Sequence, residues 1–458
     1  MKTLVSTNPG RNFQKNGEVE ISSDDEVKRK VNMANVAKEP WRRVGLRKRV
    51  ALLKQVQEQL KQKADDIATT ITKEIGTPIS VSKGEIDWDW TYFDRFLENA
   101  EKALAPTVTY EDENLLYQEV YEPIGSVAVI TPWNLPFDMF VWGVIPNLLV
   151  GNVVIYKPAE ECALTGKLIE EVMATAGLPE GVFSVVHGTG DQGALLAQQD
   201  IDMIWFTGSS EVGKKLYKLA GQKFVKGIME MGGSNPAIVF EDADLDKVIT
   251  TIMFKRYSFA GQTCDAVKRL IVHEAVYDQL ISLLKDKVTA IKVGDPEDAT
   301  IDMGPLVSQK QLNILERQVA VSVEEGAIAA VGGKRPESLK GAYYEPTILT
   351  KVTPSMAVWR DEVFGPVLPI ISFKDEQEAI RLANDTAYGL GSQVYTVDKA
   401  RALRVASEIK AGSVDINGTN RFKPYNPFGG YKDSGVGREH GVYGLRELCQ
   451  IKVVSQTK

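Results

Sequence analysis

The sequence predicts an α/β protein with two sheet-based domains that divide near residue 232. Three observations predict it. Short apolar runs recur at Ser126–Ile130, 153–156, 183–186, 203–206 and 237–240. Helical patterns separate several of them, such as Leu164, Leu168, Ile169 and Val172, which stop before Gly177 and Pro179. The second half repeats the style, with runs at 270–272, Val367–Phe373, 393–396 and Ser413–Ile416 and helical patterns at 276–291 and 308–325. Buried strands alternating with helices form parallel sheets covered on both faces.

Taken in order, the first 100 residues read as mainly helical. Val50, Leu53, Val56 and Leu60 recur at helical spacing between Lys and Gln residues. Gly76 and Pro78 supply a stop further on. A strand-like pattern at 117–121 precedes a turn at 123–125. A chain of 458 residues is long enough for two or three domains and a large core. With 43% apolar and 25% charged residues, disorder and a membrane bundle are poor fits. A net charge of −7 argues against nucleic-acid binding, which needs a basic face. The longest apolar stretch, 140–156, is interrupted by Pro146, Asn147 and Asn152 and is too broken to span a membrane. Three cysteines, Cys162, Cys264 and Cys449, build no disulfide scaffold. A reducing, cytoplasmic setting is therefore expected. With three scattered histidines and no Cys-x-x-Cys, no metal site is expected.

Several segments offer chemistry, each with a bland alternative. Gly188-Thr189-Gly190-Asp191-Gln192-Gly193 follows a strand and matches the dinucleotide fingerprint, with Glu211 near the distance of the ribose-binding acid. Any glycine-rich strand-to-helix turn reads the same. Phe206-Thr207-Gly208-Ser209 also follows a strand, and Ser209 would cap a helix whose free N–H groups could hold a phosphate. It is equally an ordinary capped helix. Cys264 stands in a polar segment where Lys268 and Arg269 would favour a thiolate, whereas Cys162 and Cys449 read as buried small hydrophobes. Glu230, before Met231-Gly232-Gly233, is either a general base at a strand end or a solvated acid. Asn134, held between Pro132 and Pro136, either donates to an oxyanion or sits in a rigid turn.

Together these pieces resemble the aldehyde dehydrogenase superfamily, and within it the short succinate-semialdehyde dehydrogenase-like branch. The matching motifs run in family order. They are Pro132-Trp133-Asn134-Leu135-Pro136, Lys157-Pro158-Ala159-Glu160, Phe206 to Ser209, Glu230 to Gly233, Gly261-Gln262-Thr263-Cys264, Glu362 to Pro366 and Pro427 to Gly435. The resemblance implies an aldehyde dehydrogenase-like fold. A Rossmann-like nucleotide-binding domain would comprise 1–104 and 124–231, and an α/β catalytic domain 232–446. A small β oligomerisation element would join the hairpin 105–123 to the C-terminal strand 447–458, in a homodimer or homotetramer. It implies NAD as cofactor, with NADP as the alternative. Cys264 resembles the nucleophile, Glu230 the general base, and Asn134 with the Cys264 backbone N–H the oxyanion hole. The cofactor would meet Thr131, Trp133, Lys157, Glu160, Gly188, Phe206, Gly208, Ser209, Glu362 and Phe364. Its pyrophosphate would lie on the Ser209 helix rather than on the literal glycine fingerprint. The substrate would meet Leu135, Met139, Trp142, Thr263, Asp265, Arg421, Phe422, Lys423 and Phe428.

The implied reaction is coherent chemistry. A thiolate adds to an aldehyde, hydride leaves to a nicotinamide, and an activated water hydrolyses the thioester. The sequence also departs from the family pattern: Phe259 and Ser234 stand where Asn and Lys are frequent, and Ser258 stands where some semialdehyde enzymes carry Arg. Arg421 and Lys423 are the cations left to meet a distal carboxylate, and Ser234 leans the expectation toward succinic semialdehyde. Asp265 tells against an anion bound close to Cys264. Another small aldehyde, hydroxy-, phospho- or aliphatic, is the alternative. CoA-acylating oxidation is a rival that Glu230 disfavours. A cofactor-free cysteine hydrolase is disfavoured by the Lys157, Ser209 and Glu362 set, and a silent protein of the same fold by intact Cys264, Glu230 and Asn134.

Overall fold

The computed structural model describes residues 2–418 and 423–458. Among them the strands form two large sheets and two small ones. The first large sheet runs Gly435–Val436, Lys226–Glu230, Met203–Thr207, Ser126–Ile130, Val153–Lys157, Phe183–Val185. Its neighbours are parallel except Gly435–Val436, which lies antiparallel to Lys226–Glu230. Every residue of Ser126–Ile130 and Val153–Lys157 is buried, so these strands read as unbroken apolar runs rather than alternation. The second large sheet runs Ile328–Val331, Thr347–Thr350, Val367–Phe373, Val267–His273, Asn235–Val239, Gly391–Tyr395, Ser413–Ile416, with only the Ile328–Val331 edge antiparallel. The chain passes from one sheet to the other across 231–234. A partition at 232 is not strict, because Gly435–Val436 returns to the first sheet.

One feature stands apart from the helical reading of the first 100 residues. Thr3–Asn8 and Gln14–Glu20 form an antiparallel hairpin, turned by Asn12 and Phe13 at positive φ. Its buried residues are mostly polar, Ser6 and Asn8 with Val19, so it carries almost no period-two apolar signal. Farther on, Thr107–Glu111, Leu115–Pro123 and Cys449–Thr457 make a three-stranded antiparallel sheet. The site is framed by two packed helices. Pro136–Val150 is buried along its whole length and begins with Pro136, where a missing N–H costs nothing. Ile79–Leu104 lies against it and buries Glu85, Asp89, Tyr92, Phe93 and Phe96 on the facing side. Among the described residues no helix is long and apolar enough to cross a membrane.

Candidate active site

The backbone before Cys264 is unusual. Phe259, Ala260 and Gly261 follow one another at φ 53°, 51° and 71°. For the two non-glycine residues this left-handed region costs roughly 1–2 kcal/mol each, so the surroundings must hold them there. Gly261 permits the tightest approach: a Cβ would lie 2.3 Å from the Gly365 carbonyl oxygen. Arg256, fully buried, donates to the carbonyls of Val363 and Gly365, tying the same two segments together. Asn235 donates from Nδ2 to the Cys264 carbonyl at 2.8 Å and to the Ala266 carbonyl at 2.9 Å. Asn134 donates from Nδ2 to the Gln262 carbonyl at 3.0 Å. An amide nitrogen carries two hydrogens, so one is spent on the loop.

Glu230 ends its strand beside this loop. Gly232 and Gly233 let the chain thread onward: a Cβ on Gly232 would sit 2.2 Å from the Glu362 carboxylate, and one on Gly233 2.8 Å from the Cys264 carbonyl. Ser434 completes the clamp, donating to the Gly232 carbonyl at 2.7 Å. The Pro427 to Gly435 motif therefore packs the Glu230 strand. Burial pushes the Glu230 carboxyl up to about 8, opposed by Arg438. The Cys264 thiol is half-buried and raised, by burial first and then by Asp265 and Glu230. This corrects the expectation that Lys268 and Arg269 favour a thiolate. Lys268 pulls the thiol downward but is held by Glu362 at 2.9 Å. Arg269 points into the second domain's core, donating to the carbonyls of Ser234, Leu382 and Ala383 over the Trp359 ring. Adjacency in sequence did not become adjacency in space, because strand residues alternate faces.

The proposed cofactor residues gather at the C-terminal ends of the first sheet, where open α/β sheets bind ligands. Lys157 and Glu160 form an ion pair at 3.3 Å, with the Glu160 side chain 41% exposed. Ser209 caps the helix Ser210–Lys223 by accepting from Val212. Phe206 packs under Gly208, and the Gly208 N–H donates to the Glu230 carbonyl at 3.0 Å. Thr131 donates to the Tyr156 hydroxyl at 3.2 Å. Trp133 meets the Phe364 ring edge-on at 5.6 Å, and Lys268 lies over Phe364 at 4.4 Å. Glu362 is committed to Lys268 and to the Gly233 N–H at 3.1 Å. Gly188 precedes a helix that Thr189 and Gln192 close with a reciprocal capping box, so that N-terminus already has its hydrogen bonds. Glu211 pairs with Lys215 at the surface.

A chamber of about 430 Å³ runs along the other side of the nucleophile segment. Of the sequence-predicted substrate residues, Leu135, Trp142, Thr263 and Asp265 line it. Met139 and Phe428 are buried, with Phe428 packed on His440. Lys423 is half-buried. Arg421 and Phe422 lie outside the described residues. Trp88, Phe259, Lys255, Glu85 and Asp138 also line the chamber, and sequence reading missed all five. Lys255 bonds Asp265 at 2.6 Å, so the acid beside the nucleophile has its own cation. A signal for the acids existed: Glu85 and Asp89 are four apart on a helix face that also carries Tyr92, Phe93 and Phe96. Among the described residues no group of His, Cys, Asp and Glu has the arrangement to hold a metal ion.

Comparison with known proteins gives one consistent result. The model of the aldehyde dehydrogenase family matches residues 2–454. A glutarate-semialdehyde dehydrogenase of Pseudomonas aeruginosa is 36% identical over 93% of this chain and 89% of its own. A peroxisomal aminoaldehyde dehydrogenase of Pisum sativum is 40% identical over 89% of this chain and 82% of its own. The solved structure of a betaine aldehyde dehydrogenase from Staphylococcus aureus, in complex with NAD+, superposes with a TM-score of 0.94 at 33% identity, covering 99% of this chain and 91% of that one.

Proposed function

The chain belongs to the aldehyde dehydrogenase family, and from that premise we propose that it oxidises a small aldehyde to the carboxylic acid with NAD through a covalent Cys264 adduct. The observation that carries this reading is the convergence on one loop of Cys264, the end of the Glu230 strand and the Asn134 amide. The Cys264 thiol gives up its proton to water, its sulfur adds to the carbonyl carbon, and the oxygen becomes an oxyanion. The second Asn134 N–H and the Cys264 backbone N–H stabilise that charge. The nicotinamide, when bound, supplies the hydride acceptor. Glu230 then takes a proton from the water that attacks the thioester, and the acid leaves as Cys264 is regenerated. A carboxyl pushed up to about 8 is a base matched to near-neutral pH.

The residues present fit NAD. Glu160 offers a part-exposed carboxylate to ribose hydroxyls, with Lys157 beside it. The N-terminus opened by Ser209 suits a pyrophosphate, whereas the Thr189 turn is closed on itself. Trp133 and Phe364 offer flat apolar surface toward the nucleophile side. Succinic semialdehyde is a second reading of the substrate, favoured by the semialdehyde dehydrogenase relative. The three-stranded sheet, with Val108, Tyr110, Ile451 and Val453 exposed, is the proposed contact between subunits. The test is NADH formation from a panel of aldehydes, without CoA and in parallel with NADP. NADH formed without CoA supports the reading, and no reduced cofactor with any aldehyde overturns it.

A further inference from the structure

Lys255 reaches the nucleophile's turn from outside it. The helix Leu245–Ile252 does not run straight on: Met253–Tyr257 makes a π-helical turn, and Phe259 to Gly261 follow at positive φ. A π turn closes over one more residue than an α turn and so re-aims the side chains it carries. In it Arg256 and Tyr257 are buried, while Lys255 lines the chamber with its side chain 9% exposed. The Lys255 ammonium bonds the Asp265 carboxylate at 2.6 Å. Cys264 and Asp265 are the two central residues of a turn that the Ala266 N–H closes on the Thr263 carbonyl at 3.4 Å. Asn235 anchors the carbonyls of Cys264 and Ala266, on either side of Asp265. The acid beside the nucleophile is thus fixed at its backbone by one element and at its side chain by another. The charges around the sulfur are unbalanced. Asp265, Glu230 and Glu362 act against ionisation of Cys264, with Asp265 the strongest of the three. Lys268 acts for it but is itself bonded to Glu362. The chamber that Lys255 and Asp265 share also carries Glu85 and Asp138, and Asp265 acts on the Tyr92 hydroxyl.

We propose that Lys255 is a positioning residue for the nucleophile: its ion pair with Asp265 screens the Cys264 sulfur from the neighbouring carboxylate and sets how fast that sulfur attacks. The proposal rests on the reading of Cys264 as the nucleophile. A carboxylate in a partly buried site repels a thiolate formed beside it, and an ammonium bonded to that carboxylate cancels much of its field. Lys255 acts through Asp265, so the two residues have opposite effects. Without the ammonium, the sulfur meets the carboxylate's charge unscreened. Without the carboxylate, a cation is left near the sulfur and favours its thiolate. A pair kept only for packing would give the same loss from either side.

The test is alkylation by iodoacetamide, from neutral to alkaline pH, of the native chain, Lys255→Met, Asp265→Asn, the double variant and Lys255→Arg. The labelled peptide is identified by mass, since Cys162 and Cys449 are buried and Cys264 is the one to follow. At neutral pH the Cys264 rate should fall roughly three- to tenfold in Lys255→Met and rise by a similar factor in Asp265→Asn, a tenfold change in thiolate being partly offset by the stronger nucleophilicity of a more basic thiol. The rising limb of the pH profile should move up the pH scale in the first and down it in the second. The double variant should lie between the two, and Lys255→Arg should match the native chain. With NAD and butanal, kcat/KM should follow the same order. Shifts in the same direction in both single variants, or none in either, overturn the proposal. If Lys255→Met does not fold, Asp265→Asn decides alone, and a rate that stays level or falls overturns it. Cys264 labelled in the expected order while no aldehyde yields NADH keeps the effect of the pair and removes the oxidation reading. NADH formed with unmoved alkylation profiles removes only this inference.

Discussion

Cys264, Glu230 and Asn134 are held in place by backbone, whereas Glu85, Asp89 and Asp138 project as side chains from two packed helices. On the first side, glycine contacts, left-handed residues and the Asn235 and Ser434 clamps set the geometry. On the second, the frame is regular helix and only side-chain identity gives it character. Chemistry that must place a sulfur, a base and an amide within hydrogen-bonding distances needs rigid, over-determined backbone. Recognition of a substrate's far end tolerates exchange of side chains on an unchanged frame. Changes on the backbone-held side should therefore act on every aldehyde alike. Changes on the helical side should alter the ratio between aldehydes.

The largest effect expected is that of Cys264→Ala. Turnover should fall by more than about 10³-fold with every aldehyde, while NAD binding, followed by tryptophan fluorescence, persists. A loss confined to one aldehyde would erase the contrast between the two sides. Glu230→Gln comes next. One equivalent of NADH should appear per site in a burst, followed by a steady rate lower by roughly 10²–10⁴-fold. The native enzyme's steady rate should climb as pH rises through about 8, because the base must lose its proton to act, and the variant should lack that rise. A missing burst would place Glu230 earlier in the cycle than thioester hydrolysis. The smallest effect concerns the cofactor wall. In the proposed cofactor site Glu160 faces the ribose hydroxyls and would repel a 2′-phosphate, so kcat/KM should favour NAD over NADP by roughly 5–150-fold, on the order of 1–3 kcal/mol. Lys157, paired with Glu160, moderates the effect. A preference for NADP would show that this wall does not select by charge.

Much of the architecture was legible because it is written locally. Ser126–Ile130, Val367–Phe373 and Ser413–Ile416 appear in the structure with the ends that their apolar runs suggested. The resemblance, not a local pattern, set the Ser209 turn above the Thr189 turn as the pyrophosphate site; the structure adds that Thr189 and Gln192 form a capping box. The hairpin at Thr3–Asn8 and Gln14–Glu20 was not legible, since its buried side chains are polar. Nor was the fate of Lys268 and Arg269, adjacent in sequence but turned to different partners by the strand's alternation.

The sequence by itself determined the alternation of strands and helices from Ser126 onward and the capped helix at Ser209, and the resemblance of its motifs singled out Cys264, Glu230 and Asn134. The alternation and the cap follow from period, turn chemistry and residue type within a few positions of each other. Only the tertiary structure decided that Lys255 neutralises Asp265, that Asn235 clamps the nucleophile's carbonyl, and that Asp138 meets Glu85 and Asp89 across two helices. Such pairings join residues from separate segments whose approach is set by how sheets and helices pack. No local pattern carries that distance, because burial and charge are properties of the whole neighbourhood that assembles around a side chain.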